Sequence, residues 1–152
     1  SDAGGVKGFP NLRDNDWQFG GTPDAIKTSI RDGRVGVMPA WEGPLGGEQG
    51  VIEVTQYVLT LSKRAGVDEA AAEAGKPKYM ALCAGCHMPT ATGNQALGAP
   101  NLTDNIWLYG GHEKDISHSI AKGRNGHMPA HGEFLGEDKV HLLTAYIYRL
   151  SQ

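Results

Sequence analysis

Apolar residues at Val51, Val54, Val58 and Leu61 follow a three-four-three spacing, and Val140, Leu143, Ile147 and Leu150 repeat it 89 residues later. Each set lines one face of an α-helix, so two amphipathic helices are predicted, each packed on the core of its own stretch of chain. A shorter helix precedes each. Thr22 offers an N-cap and Pro23 a first helical position, Ile26 and Ile30 share a face, and Gly33 stops the helix. Ile116, Ile120 and Gly123 repeat that arrangement. Gly75, Tyr79 and Cys83 stand at intervals of four, which predicts a fifth helix with a small residue and an aromatic on one face and Pro77 in its first turn. The pattern predicts an all-α chain.

The same comparison extends to an internal repeat. Gly8-Phe9-Pro10-Asn11-Leu12 returns as Gly98-Ala99-Pro100-Asn101-Leu102 at an offset of 90, and Asp14, Asn15, Trp17, Gly20 and Gly21 return as Asp104, Asn105, Trp107, Gly110 and Gly111. Gly33, Arg34, Gly36, Met38, Pro39 and Ala40 match Gly123, Arg124, Gly126, Met128, Pro129 and Ala130. After Leu45 and Leu135 the offset falls to 89, a one-residue loop deletion. Residues 1–62 are therefore read as one unit and 75–152 as a second, joined by an acidic, alanine-rich linker, 63–74, that can itself be helical. The first unit has no counterpart of residues 75–87, so it is expected to start in mid-domain. A unit of roughly 60 residues without its first helix buries too little apolar surface to stand alone. It must be completed by residues upstream, by exchange with a partner, or by leaning on the second unit.

Composition narrows the class. The 152 residues include 22 glycines and 8 prolines with 39% apolar content, little for a core made of protein alone. The formal charge is −3, so nucleic-acid binding has no electrostatic support. Residues 1–62 carry five basic and eight acidic side chains, against nine of each in 63–152. No run is long and apolar enough to span a bilayer, and no secretory signal opens the chain.

Chemistry concentrates at Cys83-Ala84-Gly85-Cys86-His87. Two thiols three positions apart followed by a histidine form the attachment motif of a c-type haem: Cys83 and Cys86 add to the two vinyl groups and His87 lies under the iron. A redox dithiol or a zinc site competes, but zinc needs two more ligands and the chain has only these two cysteines, leaving histidines to supply them. A haem would also supply missing core. For the iron's other face, His112, His118, His127, His131 and His141 are candidates on chemistry. The repeat favours a thioether, because His127 corresponds to Val37 and His131 to Trp41, whereas Met128 corresponds to Met38. His127 and His131, which flank Met128, remain as competitors. Met80 and Met88 read as packing. Ligation by His87 and Met128 fills both axial positions and favours one-electron storage over oxygen or peroxide chemistry.

The order helix, Cys-x-x-Cys-His, loop, helix, methionine loop, closing helix resembles the class I cytochrome c fold. The repeated Gly-x-Pro-Asn-Leu-x-Asp-Asn-x-Trp with Gly-Gly, then Gly-Arg-x-Gly-x-Met-Pro-Ala, resembles the dihaem cytochrome c subunit, subunit III, of cbb-type haem-copper oxidases. The resemblance covers nearly the whole chain. It implies two tandem class I cytochrome c domains, the first truncated here, in a parent with an N-terminal membrane anchor and a second haem c. It also implies that Met38 is the distal ligand of that first haem. Pro100 would accept the His87 ring N–H, and Pro10 would do so for a histidine upstream. Trp107 and Arg124, like Trp17 and Arg34, could meet haem propionates or serve ordinary packing.

The implied function is electron transfer from a donor cytochrome to the catalytic subunit of a respiratory oxidase among membrane-embedded partner subunits, on the periplasmic side, with no catalytic site in this chain. A freestanding periplasmic dihaem carrier shares the same fold and ligands. A dihaem peroxidase would need one exchangeable iron position, and two retained methionines argue against it. A haem-free interaction domain is a further alternative for the first unit.

Overall fold

The computed structural model describes residues 2–152. Its elements run α1 (Pro23–Asp32), β1 (Arg34–Met38), α2 (Glu48–Leu61), α3 (Glu69–Leu82), α4 (Ala84–His87), α5 (Glu113–Lys122), β2 (Arg124–Met128), α6 (Gly132–Leu135) and α7 (Glu137–Leu150). The predicted helices are all present. The Thr22 side chain accepts from Ala25 N to cap α1, and Asp68 accepts from Ala71 N to cap α3. That second cap starts α3 at Glu69, so half of the expected linker is helical and Pro77 lies inside the helix rather than in its first turn.

Two features add to the sequence reading. The chain is mostly helical, as expected, and also carries one small ribbon: β1 and β2 pair antiparallel, with Arg34 opposite Met128, Gly36 opposite Gly126 and Met38 opposite Arg124. Each repeat's strand thus meets its own counterpart about a central glycine, an isologous contact inside one chain. The second is the packing: the long closing helix of each repeat lies against the short helix of the other, α2 on α5 and α7 on α1.

One core joins Leu45, Val51, Val54, Val58 and Leu59 of the first repeat to Tyr79, Cys83, Ala84, Ile116 and Ile120. Here α2 packs along α3 and across α5. Gly75 lies against the Glu53 carbonyl, where a Cβ would collide, and Lys78 pairs with Glu53. The Tyr57 and Tyr79 rings stand 5.2 Å apart. Burying the three valines contributes about 1.5–3 kcal/mol each. A smaller core joins Ile26 and Ile30 of α1 to Val140 of α7, with Trp17, Leu135 and Ile147 around it. The Lys27 ammonium holds Glu137 at 3.0 Å there. The first repeat therefore does lean on the second, but by trading closing helices with it.

The crossing is symmetric to the level of single hydrogen bonds. Trp41 N donates to Ile120 O at 2.9 Å, and its repeat counterpart, His131 N, donates to Ile30 O at 3.0 Å. Gly33 and Gly123, both at φ 73°, seat the crossing segments. A Cβ at Gly123 would collide with the Met38 carbonyl, and one at Gly33 with the Met128 carbonyl, so only glycine permits both the left-handed backbone and the approach.

Candidate haem site

The Cys-x-x-Cys-His motif forms one turn immediately after α3. Cys86 N and His87 N both donate to the Cys83 carbonyl, at 3.1 and 2.9 Å. The Tyr79 hydroxyl, one turn earlier, donates to Met88 O at 2.9 Å and pins the exit of α4. Met88 leaves in the left-handed region, at φ 69°.

His87 is buried. Its Nδ1 stands 3.0 Å from the Pro100 carbonyl. A carbonyl only accepts, so Nδ1 carries the hydrogen and Nε2 keeps a lone pair for a metal. Burial pushes the imidazole pKa below its ordinary value, with the Pro100 bond opposing it, so the ring stays neutral and ready to ligate. The two thiols differ. Cys83 is buried and Cys86 exposed. Burial, reinforced by Cys86, pushes the Cys83 thiol up to about 11.

Trp107, which packs against the core that holds Cys83, and Arg64 each bury a side-chain donor with no hydrogen-bond partner among the described residues: Trp107 Nε1 and Arg64 Nε. Both side chains lie against Gly111. Orphaned donors of this kind are costly unless an acceptor arrives, and an indole N–H beside a guanidinium suits a carboxylate. The residues present therefore fit a haem, whose carboxylates Trp107 Nε1 and Arg64 Nε would hold. Arg64 was not among the expected residues. It follows α2, outside both the motif and the matched repeat segments, and no spacing marks it.

Arg124 has other work. Its Nε donates to Ser119 Oγ at 2.9 Å and its guanidinium lies 4.5 Å over the Tyr109 ring. Arg34 repeats this with Ser29 at 2.9 Å and Phe19 at 5.0 Å. These arginines tie each short helix to the ribbon.

The methionines separate sharply. Met38 packs against the core containing Cys83 and Ala84, as does Trp41. Met128 is 39% exposed and pairs in the ribbon with Arg34, at the end of α1. Met80 and Met88 are largely exposed rather than filling the core, because they lie on the outer sides of α3 and α4. His112, His118, His127 and His141 are exposed, and His131 sits against α1.

Comparison with known proteins identifies the family. The family described as cytochrome C oxidase, cbb3-type, subunit III matches residues 2–58 and 70–147. The chain is 48% identical over 152 residues to the cbb3-type cytochrome c oxidase subunit CcoP of Rubrivivax gelatinosus, covering 100% of this chain and 49% of that protein. It is 42% identical over 155 residues to the subunit FixP of Azorhizobium caulinodans, covering 97% and 53%. Against FixP of Bradyrhizobium diazoefficiens the identity is 40% over 162 residues, covering 99% and 55%. The chain thus spans about half the length of these curated relatives. No helix of the described residues is long and apolar enough to cross a membrane. With the Cys83–His87 turn and most of both repeats inside the matched segments, the chain belongs to the family of cbb3-type cytochrome c oxidase subunit III.

Proposed function

We propose that this chain is an electron-transfer part of a cbb3-type oxidase, holding a haem c through thioethers at Cys83 and Cys86 with His87 as proximal ligand. The observation that carries the reading is the buried His87, fixed by Pro100 with Nε2 free, on the same turn as the two thiols. When bound, the haem supplies a one-electron centre. The protein supplies the rest. Pro100 orients the imidazole and raises its basicity. Trp107 Nε1 and Arg64 would hold the propionates, the guanidinium offsetting their charge, and the core of α2, α3 and α5 would keep water away.

The donor is a cytochrome-like redox protein, and the acceptor is the catalytic subunit among the membrane-embedded subunits, on the periplasmic side of the inner membrane. The relatives named above, all cbb3-type oxidase subunits, support the place of this chain in the oxidase complex. In the assembled oxidase, Cys83→Ala with Cys86→Ala should leave the complex intact and abolish most oxygen uptake driven by the donor cytochrome. Undiminished uptake would overturn the reading.

A further inference from the structure

We propose that Tyr79 is a positioning residue for the proximal histidine: its buried hydroxyl, by holding Met88, fixes the loop that brings Pro100 to the His87 ring, and so sets the basicity of that imidazole. The inference rests on the proposed haem site and deepens it by naming a side chain that tunes the haem without touching it.

Three observations carry it. The first is a closed circuit of hydrogen bonds around His87. The Tyr79 hydroxyl donates to Met88 O at 2.9 Å, and Ala91 N donates to the same carbonyl at 2.9 Å. Ala91 O accepts from Leu102 N at 2.8 Å, two residues beyond Pro100, whose carbonyl stands 3.0 Å from His87 Nδ1. The circuit therefore leaves α3 at Tyr79 and returns to the imidazole on the turn that follows α3. A second link runs inside it. Gly93 N donates to His87 O at 3.1 Å, and a Cβ on Gly93 would collide with Pro100, so one loop holds both the backbone and the ring of His87.

The second observation is what this loop needs in order to keep its shape. Met88 and Ala91 both lie in the left-handed region, at φ 69° and 58°. Residues other than glycine take that backbone only where their surroundings compel it. Both lone pairs of the Met88 carbonyl are engaged, one by Ala91 N and one by the hydroxyl. Tyr79 is fully buried, so the donor is fixed in place by the core around it. Burial, reinforced by Cys83 and Tyr57, holds the phenol pKa far above its ordinary value, and the hydroxyl keeps the hydrogen it donates.

The third is the other repeat. Ala3, at φ 62°, accepts from Leu12 N at 2.9 Å, and Gly5 leaves room for Phe9 O, Pro10 and Asn11 N as Gly93 does for Ala99 O, Pro100 and Asn101 N. The cradle of the proline carbonyl is thus a unit of its own, built twice from backbone. Around Pro100 that unit is fastened to α3, and Tyr79 is the fastening. A well-aligned bond from Nδ1–H to the carbonyl raises imidazole basicity, which favours ferric iron and lowers the potential.

The test uses the 152-residue chain carrying haem, with attachment at Cys83 and Cys86 confirmed by intact mass. Tyr79→Phe keeps the ring in the core and removes only the hydroxyl. It should leave the haem attached, raise the reduction potential, and speed solvent exchange of the His87 Nδ1 hydrogen about tenfold in the reduced protein. Tyr57→Phe removes a hydroxyl from the neighbouring ring, outside the circuit, and should leave both readouts in place. Unchanged potential and exchange in Tyr79→Phe would overturn the proposal. So would an equal change in Tyr57→Phe, which would assign the effect to packing of the aromatic pair. Should Tyr79→Phe fail to fold, the unaltered reduced protein decides. Its Tyr79 hydroxyl hydrogen should resist exchange and show a nuclear Overhauser contact to the Ala91 amide hydrogen; a rapidly exchanging hydroxyl would contradict the proposal. Intact mass without haem at Cys83 and Cys86 would instead sink the underlying haem site.

Discussion

Helices α2 and α7 carry the same apolar spacing at an offset of 89, yet they are buried to different depths. On the side facing the short helix of the other repeat they agree: Val51 and Val140 are both buried, and Thr55 and Thr144 each donate back one turn, at 2.7 and 2.8 Å. On the adjacent side they part. Val54 is 0% exposed against 38% for its counterpart Leu143, and Tyr57 packs at a tilt against Tyr79 where Tyr146 is 58% exposed. Glu53, in backbone contact with Gly75, corresponds to Leu142, 68% exposed. The cause is α3, which covers α2 and has no equivalent over α7 among the described residues. Periodicity decides which residues can share a face, and the partner decides whether that face is dry.

The comparison can be broken most severely at Gly75. Gly75→Val drives a side chain into the α2 backbone and should destabilise the chain by more than about 3 kcal/mol in denaturant unfolding. Leu142→Glu on the bare side of α7 should stay within about 0.5 kcal/mol. Next come the paired truncations: Val54→Ala should cost about 2 kcal/mol and Leu143→Ala less than about 1, read from the same unfolding midpoints. Equal losses would mean that α3 does not cover α2.

Gln56→Ala makes α2 resemble α7, whose counterpart is Ala145. The Gln56 amide donates to Glu113 Oε1 at 2.8 Å and accepts from Asp68 N at 3.0 Å, so α2 is stitched to α5 and to the cap of α3 at once. Its removal should cost about 1–2 kcal/mol and speed amide exchange at Asp68. The smallest effect lies where the first repeat has Asp16 and the second Ile106. Burial, then repulsion from Asp104 and Asp14, raises the Asp16 pKa. A carboxyl whose folded pKa is raised favours its protonated form in the fold, so its charge weakens folding above the ordinary value of 3.8. Asp16→Asn should therefore gain less than about 1 kcal/mol at pH 7, and the gain should vanish below about pH 4. A gain that persists in acid would place its origin elsewhere.

What could be read without coordinates was what is local or periodic. The attachment turn is five consecutive residues, the helices announce themselves by spacing and caps, and the offset of 90 follows from identity alone. The exchange was hidden by that same identity. Ile30 and Ile120 present equivalent carbonyls, and Trp41 and His131 equivalent amides, so a pattern satisfied within each repeat is satisfied equally well across them. Connection geometry chooses, and it has no signature in composition. The strands were missed for a related reason. Five residues around a central glycine carry little β signal, and β1 pairs only with its own copy 90 residues away. Pro100 was reachable through the family resemblance, whereas Arg64 became visible only as a buried donor lacking an acceptor.

The interlocking of the repeats is tested most directly by the neighbours of Ile120, whose carbonyl accepts from Trp41 N. In the haem-loaded chain, the Ile120 methyl groups should show nuclear Overhauser contacts to the Trp41 ring. Contacts from Ile120 to the His131 ring instead would mean that each repeat closes on itself, and would contradict the exchange.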